Sequence, residues 1–410
     1  RIKIFVNGVQ ETSLEFSVSP AQNYDAAVNS VIQHRIGSVN RATYDYRFDG
    51  YMAEVHFIDG TALAPSAFGE TNSATGQWVP KEYDAAVSGA YGTNGFYLKL
   101  KDSYPGLITS ASGGTVTTVD TDYKVHTFNS SGTFTVNTIS GGDAAIDFLV
   151  IGGGGGGGYS YGGGGGAGGY RTSYGTSGGN SAAELPISVT TQAYTITVGD
   201  GGDGATGHRN PPLGNGDDSS IAGAGMTTIT SIGGGGGGNI TYQQPTGWGS
   251  GQLGGSGGGA GSLDNDGDPA NGLGYAGAGT TGQGYPGSAS ANQDTGGSAG
   301  GGGGAGGTGT ANTGHPSYVG GTGGTGLAST ITGSSVTRAG GGGGGGYTQG
   351  APGGPGGGGY GGDNQSGGRP AADGTANTGS GGGGLTVGSL PAGSEGDGGS
   401  GVVIIRYKFQ

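Results

Sequence analysis

Ile146-Asp147-Phe148-Leu149-Val150-Ile151 runs straight into glycines 152–158, and Thr227-Thr228-Ile229-Thr230-Ser231-Ile232 runs straight into glycines 233–238. A flexible linker is not introduced twice by an apolar, β-branched strand, so these runs read as structure. Glycine supplies 111 of the 410 residues. An excess of this kind signals collagen when it is strictly periodic and proline-rich, or disorder when it is not. Neither fits, because the glycines are contiguous, prolines number only 15, and an apolar strand, Val402-Val403-Ile404-Ile405-Arg406-Tyr407, closes the region.

A third form suits bare glycine. Without a Cβ, the chain enters the extended threefold helix, which rises about 3.1 Å per residue and makes no internal hydrogen bonds. Its amides and carbonyls point outward, so such helices bond to one another side by side in two dimensions. A side chain inside that lattice forces its neighbours apart. Ordering a backbone residue costs about 1–2 kcal/mol, whereas a hydrogen bond contributes only about 0.5–1.5 kcal/mol net. The lattice is therefore expected to need anchoring on a β scaffold with an apolar core.

The formal charge of −13 argues against a nucleic-acid partner, and the absence of cysteine excludes disulfides and thiolate metal sites. No apolar run approaches the length of a membrane span, so membrane insertion is not expected. The chain opens at Arg1 inside a strand pattern and is expected to belong to a longer polypeptide.

Residues 1–101 have ordinary globular composition with period-2 strands at 1–9, 51–58 and 96–100, turns at Asn7-Gly8 and Asp59-Gly60, and no long helical period. The stretch Phe48-Asp49-Gly50-Tyr51-Met52-Ala53-Glu54-Val55-His56-Phe57-Ile58-Asp59-Gly60, with Leu63-Ala64-Pro65-Ser66-Ala67-Phe68-Gly69 and Gly92-Thr93-Asn94-Gly95-Phe96-Tyr97-Leu98, resembles the C-terminal half of a concanavalin A-like (laminin G-type) jelly roll of phage tail proteins. A polar linker is expected at 102–122. From 123 to 410, the Tyr-Lys-Val-His-Thr-Phe segment, the strand opening into polyglycine and the closing Gly-Ser-Gly-Val-Val-Ile-Ile-Arg-Tyr resemble the glycine-rich domains of phage tail fibres. More distantly they are similar to adhesins that cap the long tail fibres of T-even-type phages. The resemblance implies a polyglycine sandwich whose loops at one end bind the host. The expected fold is all-β: a partial jelly roll, then a β scaffold (123–151, 185–232, 402–409) carrying a polyglycine II sandwich.

Ten helical runs are expected, at 152–158, 162–169, 233–238, 254–261, 296–309, 320–326, 339–346, 350–362, 379–384 and 396–401, with 272–287 left open as a further pair. Alternating direction places loops 159–161, 239–253, 310–319, 347–349 and 385–395 at the distal end. These loops carry Tyr159, Tyr161, Tyr242, Trp248, His315, Tyr318 and Tyr347, interleaved with the amides of Asn239, Gln243 and Asn312. Aromatic faces beside amide groups are what a loop-built binding surface uses. For Tyr159, Tyr161 and Tyr347, shielding of helix ends is an equal alternative; for Tyr242, Trp248 and Tyr318, binding is favoured.

Other motifs carry little. Gly-x-Gly-x-x-Gly recurs by chance at this glycine content and lacks a βαβ context. The five histidines, each read as a surface or strand residue, show no metal-ligand spacing, and no serine has a nucleophile-elbow setting, so no enzyme is expected. Asp264, Asp266 and Asp268 alternate as calcium ligands do, but Pro269 and Tyr275 stand where glycine and an acid are required. A solvated acidic turn at the base is the favoured reading, with a structural calcium ion as the alternative and no other cofactor. The function expected is a structural and receptor-recognition component of a phage tail fibre, extracellular on the virion. Its partners are then a host glycan or outer-membrane protein and other fibre subunits, including copies of itself. The alternative is a head-to-tail filament subunit without receptor binding.

Overall fold

A computed structural model describes residues 4–12, 36, 38–41, 44–47, 55–72, 76–81, 83, 91–98, 106–142, 144–207, 214–239, 249–262, 274–290, 297–365, 368–386 and 396–410. The chain divides into two units, Arg1–Tyr104 and Pro105–Gln410. Among the described residues there are strands and two single-turn 3-10 helices, and no α-helix.

The first unit is a set of two-stranded ladders. Strands β1 (Ile4–Val6) and β2 (Val9–Glu11) join through Asn7-Gly8, both at positive φ as the tight hairpin turn requires. β3 (Ser38–Arg41) pairs with β4 (Tyr44–Arg47), β5 (Val55–Phe57) with β8 (Phe96–Leu98), and β6 (Gly69–Thr71) with β7 (Trp78–Pro80). His56 stacks on Tyr97 across the β5–β8 ladder, 4.4 Å between centroids, within a cluster that includes Phe68, Tyr83 and Tyr91.

The second unit is built on a two-layer sandwich. One sheet orders β10 (Thr115–Val119), β11 (Tyr123–Phe128), β21 (Val402–Lys408), β13 (Ala144–Ile151) and β14 (Tyr170–Thr172), with β15 (Ile187–Val189) also on β13. The other orders β18 (Ile229–Ser231), β17 (Ser219–Ala222), β16 (Ala193–Thr197), β12 (Gly132–Ser140) and β9 (Leu107–Ser112). Phe128, Phe148, Val403, Ile405 and Tyr407 meet Ile108, Phe134, Tyr194, Ile196 and Ile221 between the sheets. On the reverse face of the first sheet, Val125, Leu149, Ile151, Val402 and Ile404 pack against Tyr170, Ile331 and Ala339, beside the hairpin of β19 (Leu327–Ser329) and β20 (Val336–Arg338). β21 is thus buried on both faces, which is why its first four residues, Val402-Val403-Ile404-Ile405, read as an unbroken apolar run.

The stretch 102–122, expected as a linker, contains β9 and β10. Gly113 and Gly114, at φ +115 and +61, turn the chain from one sheet into the other.

His126, on β11 as a strand residue, is wholly buried. Its Nδ1 lies 2.6 Å from the Gly113 carbonyl and its Nε2 3.1 Å from the Tyr407 hydroxyl. A neutral ring donates from Nδ1 and accepts at Nε2, matching both partners. Burial lowers the His126 pKa, outweighing the bond to Gly113 that raises it, and burial also pushes the Tyr407 pKa up to about 12.

From the strand ends the glycine segments leave as a lattice, and its hydrogen bonds repeat every third residue. In 152–158, the amides of Gly152, Gly155 and Gly158 bond to the carbonyls of Gly169, Gly166 and Gly163; those of Gly153 and Gly156 to Asp217 and Gly214; those of Gly154 and Gly157 to Gly399 and Gly396. Its carbonyls accept in the same rotation from Gly234 and Gly237, from Gly202 and Ala205, and from Gly382 and Leu385. One helix is thus bonded to six neighbours, three as acceptors and three as donors. A threefold helix produces this pattern and a twofold strand cannot. The segment 162–169 is surrounded in the same way by 152–158, 232–238, 256–262, 300–303, 342–345 and 379–385.

More segments take part than the ten expected. The region 296–309 is an inward run to residue 304 and an outward run from 307, and 350–362 likewise turns at 355–357. Segments 199–206, 214–218 and 369–375 join the rim, and 274–279 and 284–290 form the pair left open at 272–287. The expected loop 239–253 hides an inward run, since Gln252 N–H bonds to Gly236 O and Gly255 N–H to Gly233 O. That run reverses the direction of 254–262 and of 297–304, and the turn after residue 304 restores the expected alternation for the segments that follow. Ser262, which ends the described run before Asp264, Asp266 and Asp268, is bonded to Tyr161 O and lies at the tip, not at the base. Those three aspartates lie outside the described residues, and the described ones hold no group of three metal-ligating side chains.

Position in the lattice governs composition. Segments 152–158, 162–169, 233–239, 254–262, 297–304, 339–346 and 379–386 are buried throughout and are almost pure glycine. Rim segments expose one residue in three: Asp200, Asp203 and Thr206; Tyr275 and Ala278; Pro286 and Ala289; Pro352 and Pro355. Substituting an interior glycine should therefore be costly. A Cβ on Gly165 overlaps the carbonyl of Gly155. We expect Gly165→Ala to lose ~2 kcal/mol or more by overpacking, against less than ~0.5 kcal/mol for rim Asp203→Ala, in denaturant titrations.

The buried histidine generates a second expectation. Its folded pKa lies below the unfolded value of 6.5, so at lower pH the unfolded chain binds the extra proton. Stability is full above that value and declines as the pH falls toward the depressed one. Melting temperatures measured from pH 7.5 to 5 should drop, and His126→Gln should flatten that slope while lowering stability throughout.

Candidate functional site at the lattice tip

The end of the lattice away from the sandwich gathers loops around the central turn 159–161. Tyr159 N–H bonds to Asn239 Oδ1 at 2.8 Å, and Ser262 Oγ accepts from Gly297 N–H. Next, Tyr347 N–H bonds to Gly297 O, Thr348 N–H to Tyr318 O, and Asn364 N–H to Tyr347 O. Backbone bonds thus stitch the loops 313–319, 347–349 and 363–369 together.

Four rings form a continuous group there. Tyr161 lies 6.4 Å from Tyr347, Tyr347 is 6.1 Å from Tyr318 in edge-to-face contact, and Tyr318 is 5.6 Å from His315, again edge-on. Tyr347 is 48% exposed and His315 is exposed, while Tyr161 and Tyr318 are half-buried. Burial raises the pKa of the Tyr161 phenol, assisted by Tyr347, while a hydrogen bond from its partner Asn364 acts the other way.

The other expected residues divide. Asn239 is buried with its side-chain oxygen holding the Tyr159 amide, and buried Asn312 donates to Ser298 O (3.0 Å) and Ser298 Oγ (2.7 Å). Both amides close helix ends. Tyr159 is half-buried beside this cap. Tyr242, Gln243 and Trp248 lie outside the described residues. Asn364 and its loop lie just beyond the expected run 350–362, and the turn hidden in that run at 355–357 is what carries them to the tip; the polar sequence Asp363-Asn364-Gln365 is the signal that marks the loop.

The backbone bears on the choice between shielding and binding. Ser160, Tyr161 and Tyr318 have φ of +57, +53 and +45. Such angles are outliers for bulky residues and cost about 1–2 kcal/mol each, whereas glycine adopts them freely. In a chain so rich in glycine, tyrosine holds positions where glycine is the unstrained choice. Strain of this kind clusters at functional sites.

A family model described as a glycine-rich domain matches residues 129–408, and the chain belongs to that family. No curated protein matches the chain.

Strain predicts how the tip responds to substitution. Ser160→Gly should stabilise the protein by ~1 kcal/mol, and Tyr161→Gly should stay within ~1 kcal/mol of wild type because relief of strain offsets the lost ring contacts. Denaturant titration measures both.

Proposed function

We propose that this protein is a structural and receptor-recognition component of a bacteriophage tail fibre, acting outside the cell on the virion, with no catalytic role. The observation that carries the reading is the aromatic group Tyr161, Tyr347, Tyr318 and His315 at the tip of a hydrogen-bonded lattice, two of its tyrosines in left-handed conformation. A platform ordered in advance loses little conformational freedom on binding. The resemblance of the segments flanking the polyglycine to tail-fibre proteins supports the setting, and the resemblance of residues 48–98 to part of a concanavalin A-like jelly roll agrees with it. The partners are a host surface glycan or outer-membrane protein and other fibre subunits; the charge of −13 speaks against nucleic acid.

A second reading, a head-to-tail filament subunit, draws on the β1–β2 hairpin, where Ile4, Phe5, Val6 and Val9 are 40%, 39%, 58% and 72% exposed. Apolar strand surface of this kind invites a covering chain. Electron microscopy separates the two: polymers growing from the purified chain support the filament, and discrete particles support the adhesin.

Loop exchange tests recognition directly. Replacing 313–319 and 347–349 by glycine-serine loops should reduce adsorption to host cells at least tenfold with an unchanged melting temperature. Undiminished adsorption removes the recognition role.

A further inference from the structure

We infer that the tip platform takes a neutral saccharide, stacked on Tyr347 against Tyr318 and Tyr161; this rests on the recognition role proposed above and names its ligand class. Three features of the tip point the same way.

The first is shape. Tyr347 is the most open of the three tyrosines, and Tyr318 stands edge-on beside it at 73°, making a floor with a wall. The electron-rich face of a tyrosine attracts weakly positive C–H groups, which a pyranose presents on one side of its ring. Ring-to-ring steps of 6.4 and 6.1 Å are comparable in scale with the spacing of successive sugars in an oligosaccharide.

Charge is the second. The ionic side chains of the 363–369 loop are already engaged: Asp363 Oδ1 accepts the amides of Gln365 and Arg369, and the Arg369 guanidinium lies 3.4 Å over the Tyr360 ring. Among the described residues the border of the three tyrosine rings is uncharged and polar, formed by Thr348, Gln349 and Asn364, so hydroxyl groups find donors and acceptors there while an anion finds no dedicated cation.

Size is the third. A stable protein interface buries about 800 Å² on each partner, built on 20–30 residues. Four rings and their border are a fraction of that and match two or three sugar units.

The test uses the full chain, purified and labelled, on a panel of bacterial cells and on immobilised neutral and anionic bacterial polysaccharides. Periodate treatment of the cells should cut adsorption at least tenfold while protease treatment leaves it unchanged, and at least one neutral polysaccharide should be retained. Tyr347→Ala should weaken that retention at least tenfold without shifting the melting temperature, and Tyr347→Phe should keep most of it, because stacking needs the ring rather than the hydroxyl. Adsorption that survives periodate but not protease overturns the saccharide assignment and leaves receptor recognition standing. Retention only by anionic polymers overturns neutrality. Adsorption to no strain overturns the recognition role itself, and the ligand class with it.

Discussion

The lattice depends on the distance between neighbouring backbones. When every amide of a helix must reach a carbonyl on one of six neighbours, the space a Cβ needs is already filled by a carbonyl oxygen, as at Gly156 against Asp203 and Gly157 against Gly383. Collagen meets the same restriction at one residue in three, on its axis. Inside this lattice all three residues of each turn face a neighbour. Hydrogen bonding in two dimensions and exclusion of side chains are one constraint seen from two sides.

A structure with so little apolar burial must be held elsewhere. The strands supply the holding: β13 and β18 run directly into lattice helices, and β14, β17, β19 and β21 receive helices returning from it. The sandwich core and the reverse-face cluster therefore fix the starting points and directions of the helices. Side chains also complete the rim where no backbone neighbour stands. Asn215 and Asp218, three residues apart, accept from Gly236 and Gly233 at 2.8 Å each, and Asp397 accepts from Gly204 at 2.7 Å. The polar residues that interrupt the glycine runs are thus substitutes for missing carbonyls.

This division explains what was legible in the sequence. Interior helices stood out because six neighbours require glycine on every side, and β13 and β21 stood out because both of their faces are buried. Several rim helices were hidden, since an open side admits a side chain at every third position: Gly199-Asp200-Gly201-Gly202-Asp203-Gly204 is a lattice segment written in triplets. β10 was hidden because its Thr-Val-Thr-Thr-Val sequence is mostly exposed. Of the candidate site, the gathering of Tyr161, Tyr318, Tyr347 and His315 followed from loop order. The capping work of Asn239 and Asn312 and the left-handed tyrosines depend on geometry that no spacing rule encodes.

β21 occupies the middle of its sheet, between β11 and β13, although it comes after both by more than two hundred and fifty positions. During synthesis the two flanking strands emerge early and wait with a vacant slot between them while all the intervening glycine is made. Contacts this distant in the chain form slowly. The order of assembly is thereby set: the platform cannot be locked to its base until residues 402–408 have left the ribosome, so a prematurely terminated chain carries nearly all of the lattice sequence and none of its closure.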